Sequence, residues 1–248
     1  MPMPKHIFFD LDKTLTTSRS PISPEHQELF ATLCDQKDVV VVSGGSTEQI
    51  REQITSRFDG QYFILGQSGN HALDKDGAEL WNEPLTEHQV AAIVRCIEAL
   101  KRYFAIPVKD DDDLWENRGA QVSYSVIGFH EAVEKKYAFD PTDKKRQAAL
   151  SALPQEVEAL RAAAVEGTPA GTTTYNFIAA GKHKGYNVAR LIEREGWQKT
   201  ESVYVGDALF PSGNDETVIG VIPTLAVKNP DETFSYIQTL IHKVRPSP

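Results

Sequence analysis

Apolar and polar positions follow two different textures along this chain. Near the start, Ile7-Phe8-Phe9 is a short apolar run that ends in Asp10. Such a run reads as a parallel strand buried on both faces, with acidic groups at its carboxyl end. A helix is expected after Pro24, through Glu25 to Leu33, with Ser23 as its cap and Pro24 in its first turn. Asp38-Val39-Val40-Val41-Val42 is the clearest strand and stops at Ser43-Gly44-Gly45-Ser46. A helical pattern then runs from Thr47 to about Phe58, and Tyr62-Phe63-Ile64-Leu65 is the next strand. Strands alternating with helices predict an α/β core with a parallel sheet. Gly69 to Asn82 reads as a hairpin turning at Lys75-Asp76-Gly77.

After Pro84 the texture changes. Glu87 to Tyr103 places Val90, Ile93, Val94, Ile97 and Leu100 at helical spacing, whereas Gln121 to Ile127 alternates like a strand. Lys144 to Ala164 is helical with a break at Pro154, and Thr172 to Ile178 is β-prone. This block predicts an α+β unit with an antiparallel sheet. The first texture returns with a helix from Gly185 to Glu195, strands at Ser202–Val205 and Thr224–Val227, and a helix from Asp231 to Lys243. The expected organisation is a discontinuous core, 1–84 and 182–248, interrupted by an inserted domain, 85–181.

The net charge of −9 argues against nucleic-acid binding, which needs a basic surface. It is compatible with a small phosphorylated substrate held by a few local cations. No apolar run reaches the ~20 residues of a membrane span, and no secretory leader is read at the N-terminus. Cys34 and Cys96 lie in no metal-binding spacing and fit a reducing compartment. The expected location is therefore the cytoplasm. Asp110-Asp111-Asp112-Asp113 lacks the spaced ligands and glycine of a calcium loop and reads as a solvated loop.

In an open parallel sheet, ligands bind beyond the carboxyl ends of the strands. Asp10, Asp12, Ser43 and Asp207 all fall at such ends, and Lys182 and Lys184 both precede a core helix. That set suits phosphoryl transfer. A carboxylate at Asp10 can attack phosphorus, and cations must offset the repulsion between the two anions. Mg²⁺ takes oxygen ligands such as Asp10 and Asp207. Asp12 is placed to protonate the leaving oxygen, and the Ser43 hydroxyl to hold a phosphoryl oxygen. The sequence does not decide between Lys182 and Lys184 for the phosphate-contacting cation.

These residues resemble the motifs of the haloacid dehalogenase-like (HAD) superfamily. They are Asp10-Leu11-Asp12-Lys13-Thr14-Leu15-Thr16, Val42-Ser43-Gly44, Lys184, and Gly206-Asp207 followed by Asn214-Asp215. The resemblance implies a Rossmann-like α/β core with a type IIB α+β cap. It also implies catalysis by Asp10, Asp12, Ser43 and Lys184, and Mg²⁺ bound by Asp10, Asp12, Asp207, Asn214 and Asp215. Within the superfamily the chain looks like the eukaryotic-type phosphomannomutases over essentially its whole length. That likeness implies substrate contacts from Arg19, Gly44, Arg118, Thr174 and Asn176, and a homodimer formed through the cap. The chain departs from that family at Phe129, where an arginine is expected. Lys135 or Lys136 could stand in for another family arginine, and Thr174 and Asn176 replace Ser and Asp. The leading expectation is a phosphatase acting on a sugar phosphate or a similar metabolite. Its rivals are a phosphomannomutase-like mutase and a non-catalytic phosphometabolite-binding protein.

Overall fold

The structure, a computed structural model, describes residues 3–108 and 110–242. In chain order it contains β1 (His6–Asp10), α1 (Pro24–Gln36), β2 (Asp38–Val42), α2 (Thr47–Ile54), β3 (Phe63–Gly66), β4 (His71–Leu73) and β5 (Glu79–Asn82). Next come α3 (Glu87–Phe104), β6 (Trp115–Asn117), β7 (Val122–Ser125), α4 (Val133–Phe139), α5 (Lys144–Ala152), α6 (Pro154–Ala162), β8 (Val165–Ala170) and β9 (Thr174–Ala179). The chain closes with α7 (Lys184–Glu195), β10 (Ser202–Gly206), β11 (Thr224–Ala226) and α8 (Pro230–His242). Lys243, the expected end of the last helix, lies outside the described residues, as do Met1 and Pro2. The chain divides into one unit of Met1–Asn82 with His183–Pro248 and another of Glu83–Lys182.

The first unit holds a seven-stranded sheet in the order β11-β10-β1-β2-β3-β4-β5. β1 pairs in parallel with both β2 and β10, so Ile7, Phe8 and Phe9 are central and inaccessible to solvent. β4 and β5 extend the sheet as an antiparallel hairpin. Alternate strand residues feed two clusters. One gathers Phe9, Val39 and Val41 with Phe30 and Leu33 of α1 and Phe234 of α8. The other gathers Phe8, Val40 and Val42 with Val188 and Leu191 of α7. The fold class is thus α/β with a parallel-rich sheet.

The inserted unit has a separate antiparallel sheet, β6-β7-β9-β8. Val122, Tyr124, Tyr175 and Phe177 lie on one face and pack with Ile93, Ile97 and Leu100 of α3. Alternation sends Ser123, Thr174 and Asn176 to the other face. There Glu116, Ser123, Asn176 and Thr168 stand opposite one another across the four strands.

Local expectations fail where particular residues override the pattern. The helix expected to reach Phe58 stops at Ile54, because Thr55 adopts φ 73° and a 3₁₀ turn follows. Ser23 precedes α1, but its hydroxyl donates to Glu25 and caps no backbone N–H. Within the aspartate run, expected as a solvated loop, Asp110 and Asp112 are exposed, Asp111–Asp113 form a 3₁₀ turn, and the Asp113 carboxylate accepts from the backbone N–H of His130. Cys34 and Cys96 are free thiols. Among the described residues, no helix is long and apolar enough to cross a membrane.

Candidate active site

The register of the central sheet assembles the site. Asp10 stands opposite Val42, and Phe9 opposite Val205, so Asp10, Ser43 and Asp207 leave adjacent strands at one end. Two glycines allow the remaining parts to close in. A Cβ on Gly206 would collide with the Asp215 carboxylate, and one on Gly185 would collide with the Thr217 carbonyl. The Asp215 side chain therefore lies directly against the end of β10, and the first turn of α7 against the 216–218 turn. Gly185 N–H also donates to Thr217 Oγ1 at 3.1 Å. His183 caps α7 by accepting from Tyr186 N–H, which fixes Lys184 as the first helical residue.

Lys184 is buried, and its ammonium donates to Asp10 Oδ1 at 2.6 Å and Asp215 Oδ1 at 2.7 Å. Lys182 instead pairs with Glu83 at 3.2 Å within the inserted unit and is partly exposed. Lys184 is therefore the lysine that meets Asp10. Tyr204, inaccessible on β10, donates its hydroxyl to Asp215 Oδ1 at 2.7 Å. In the sequence Tyr204 carries no signal beyond its place in the strand Ser202–Val205. That place, two residues before Gly206, puts both on the face packed by α7.

One carboxylate oxygen each from Asp10, Asp207 and Asp215 lie within 4.8 Å of one another. Burial, followed by the charges of neighbouring aspartates, pushes the Asp10 carboxyl well above its ordinary range despite the opposing pull of Lys184. Burial and Asp215 push Asp207 up to about 6, against Lys13 and Lys184. Burial lowers the Lys184 ammonium, but Asp10 and Asp215 outweigh it and hold the lysine above its usual value. Burial, then Asp215 and Asp10, raises the Tyr204 phenol. One buried ammonium thus faces three crowded carboxylates, an excess of negative charge that a divalent cation would offset. The all-oxygen donor set fits Mg²⁺.

One of the expected ligands, Asp12, stands outside this group. Its Oδ1 accepts from Arg19 N–H at 2.7 Å. Asn214 is exposed beside Asp215, which is fully buried. Arg19 is itself exposed and adopts φ 53°. Ser43 is buried, and its Oγ accepts from Gly45 N–H at 3.0 Å, which leaves the hydroxyl proton to donate. Gly44 lies between them, just ahead of α2. That helix opens with a capping box in which Ser46 and Gln49 bond each other's backbone N–H.

Arg118, Thr174 and Asn176 belong to the inserted unit. Arg118 donates through Nε and Nη2 to Glu116 Oε2 at 3.0 and 2.7 Å. Asn176 Oδ1 accepts from Ser123 Oγ at 2.9 Å. Phe129 is buried, and its carbonyl accepts from Lys136 Nζ at 2.9 Å, while Lys135 pairs with Glu131 at 3.4 Å.

Comparison with known proteins follows the same lines. A family model described as haloacid dehalogenase-like hydrolase matches residues 7–219. Phosphomannomutase 1 of Dictyostelium discoideum is 25% identical over 246 residues, covering 95% of this chain and 96% of its own length. A Drosophila melanogaster phosphomannomutase is 28% identical and covers 84% of each chain. Among solved structures, IMP-bound Plasmodium falciparum IMP-nucleotidase superposes with a TM-score of 0.70 at 14% identity, covering 97% of this chain and 68% of that one. A Streptococcus mutans protein gives 0.66 at 16% identity, covering 96% and 99%. The likeness to these two structures is one of fold.

Proposed function

The chain belongs to the haloacid dehalogenase-like hydrolases, and on that premise we propose that it is a Mg²⁺-dependent phosphatase acting on a sugar phosphate or similar small phosphorylated metabolite. The observation that carries this reading is the buried Lys184 ammonium shared between Asp10 and Asp215, with Asp207 beside them. In the proposed reaction Asp10 attacks phosphorus, forming an aspartyl phosphate as the ester P–O bond breaks. Asp12 gives its proton to the departing oxygen. It then takes a proton from water, whose oxygen attacks the same phosphorus and frees Asp10 and inorganic phosphate. Lys184 offsets charge on the phosphoryl oxygens, and Ser43 donates its hydroxyl to one of them. Asp10, Asp207 and Asp215 are the residues that would hold Mg²⁺, which when bound supplies further charge neutralisation.

The phosphomannomutase relatives favour a second reading, mutase activity. A mutase must hold a second phosphate while the first reacts. Support for hydrolysis over mutation comes from the inserted unit. Its candidate arginine, Arg118, is engaged by Glu116, and a buried phenylalanine stands where that family has an arginine. Mannose 1-phosphate with Mg²⁺ and a trace of the sugar bisphosphate separates the two. Release of inorganic phosphate without the 6-phosphate supports the phosphatase. Formation of mannose 6-phosphate without net phosphate release overturns it in favour of the mutase.

A further inference from the structure

Tyr204 belongs to the same buried apolar cluster as Phe8, Val42, Val188 and Leu191. A hydroxyl placed there requires an acceptor, because an unbonded buried O–H is costly. Its acceptor is Asp215 Oδ1 at 2.7 Å, the atom that also accepts from Lys184 at 2.7 Å. Lys184 Nζ lies 3.5 Å from the phenol oxygen and spends its other short bond, 2.6 Å, on Asp10. Asp215 Oδ2 accepts from Ala208 N–H at 3.3 Å. A chain of contacts therefore runs from Tyr204 through Asp215 and Lys184 to Asp10, and its first member is neutral.

We propose that Tyr204 is a positioning residue of the active site, which holds the Asp215 carboxylate in the orientation that shares Lys184 with Asp10 and keeps the three carboxylates spaced for a cation. The inference rests on reading Asp10, Asp207 and Asp215 as the Mg²⁺ site. Two donors on one oxygen and a third on the other define the plane of the Asp215 carboxylate. Without the phenol, Lys184 alone restrains Oδ1, and the carboxylate gains freedom to rotate. Groups that orient metal ligands typically matter by about 10–100-fold in metal affinity or activity.

The test is Tyr204→Phe in the full chain, which removes one oxygen and no charge. Calorimetric titration with Mg²⁺ in the absence of substrate should show about tenfold weaker binding. With para-nitrophenyl phosphate, kcat should fall by about tenfold while KM stays within about twofold. Mg²⁺ affinity and kcat both within about twofold of wild type would make Tyr204 a packing residue and overturn the inference. A double-mutant cycle gives a second measurement, since the phenol acts through Asp215. In an Asp215→Asn background the effect of Tyr204→Phe on Mg²⁺ binding should vanish, and an undiminished effect overturns the proposal. Wild-type protein that takes up no Mg²⁺ overturns the cation site and this inference together. Normal uptake by the wild type, matched by the variant in both Mg²⁺ affinity and kcat, overturns the inference alone.

Discussion

Replacing Arg146 with methionine would remove a guanidinium that solvent does not reach in the inserted unit. Its Nε donates to Asp140 Oδ2 at 3.0 Å, and Nη2 donates to the carbonyls of Asp140 and Gly171 at 3.2 and 2.8 Å. Nη1 donates to the carbonyls of Ala170 and Thr174, each at 2.7 Å. One side chain thus ties the turn between β8 and β9 to the start of α5. Methionine would fill much of the stem volume but leave the buried Asp140 carboxylate without its cation and four carbonyls without this donor. Removing one partner of a buried ion pair costs about 3–5 kcal/mol. Asp140 retains two backbone donors, Lys145 N–H at 3.2 Å and Arg146 N–H at 3.0 Å, which limits the loss on the anion. The orphaned carbonyls add about 1 kcal/mol each where water cannot replace the bond. The expected loss is at least about 3 kcal/mol, the low end of the ion-pair range, and larger by each carbonyl that water does not reach. Adding Asp140→Asn removes the uncompensated charge while keeping an acceptor, so the double variant should recover part of that loss. Urea unfolding measures the energies, and hydrogen exchange at the amides of β9 and α5 locates them. A loss below about 1 kcal/mol, or a double variant less stable than Arg146→Met alone, would refute the reasoning.

The same pair sets an acid limit. Burial raises the Asp140 carboxyl, but hydrogen bonds from the Arg146 side chain and from the Arg146 and Lys145 backbone outweigh it and hold it below the usual range. A carboxyl depressed by folding contributes stability that is fully present above its unfolded value, about 3.9, and lost as pH falls through the lower folded value. Stability should therefore decline below about pH 4, and Asp140→Asn should lessen that decline in urea melts; an identical acid limb contradicts the assignment. Lys184→Gln should lower kcat by about a hundredfold or more, whereas Lys182→Gln, which breaks a partly exposed pair, should change it by less than about twofold; steady-state rates with comparable losses in both would undo the choice of lysine. Gly185→Ala should drive α7 off the Thr217 carbonyl, costing about 1–3 kcal/mol and lowering kcat as Lys184 shifts. Unchanged melting and turnover would show that the close approach is dispensable.

The middle of the central sheet was legible because β1, β2 and β10 are dense in β-branched and aromatic residues and stop at Asp10, Ser43 and Gly206-Asp207. Asp38–Val42 is the plainest case: its expected and observed limits coincide. The inserted sheet was legible only in its middle strands. β8 is an edge strand carrying Pro169 and Gly167, residues that disguise a strand in sequence. Gly167 is required there because the Phe177 ring occupies the space a Cβ would take. α4 gives little signal in sequence because none of its residues is fully buried. At the site, the choice between Lys182 and Lys184 turned on where α7 begins, and the His183 cap settles that in three dimensions. The separation of Asp12 from the other carboxylates reflects the loop after β1, where Lys13 adopts φ 64° and Asp12 accepts from the Arg19 backbone. Spacing along the chain carries none of that information.

Intact-protein mass spectrometry of an acid-quenched turnover mixture tests the central proposal most directly. The account predicts that wild-type protein gains the mass of one phosphoryl group, that borohydride reduction maps it to Asp10, and that Asp10→Asn shows neither adduct nor turnover while remaining folded. A phosphoryl group mapped to another residue, or Asp10→Asn retaining more than about a tenth of wild-type activity, would contradict it.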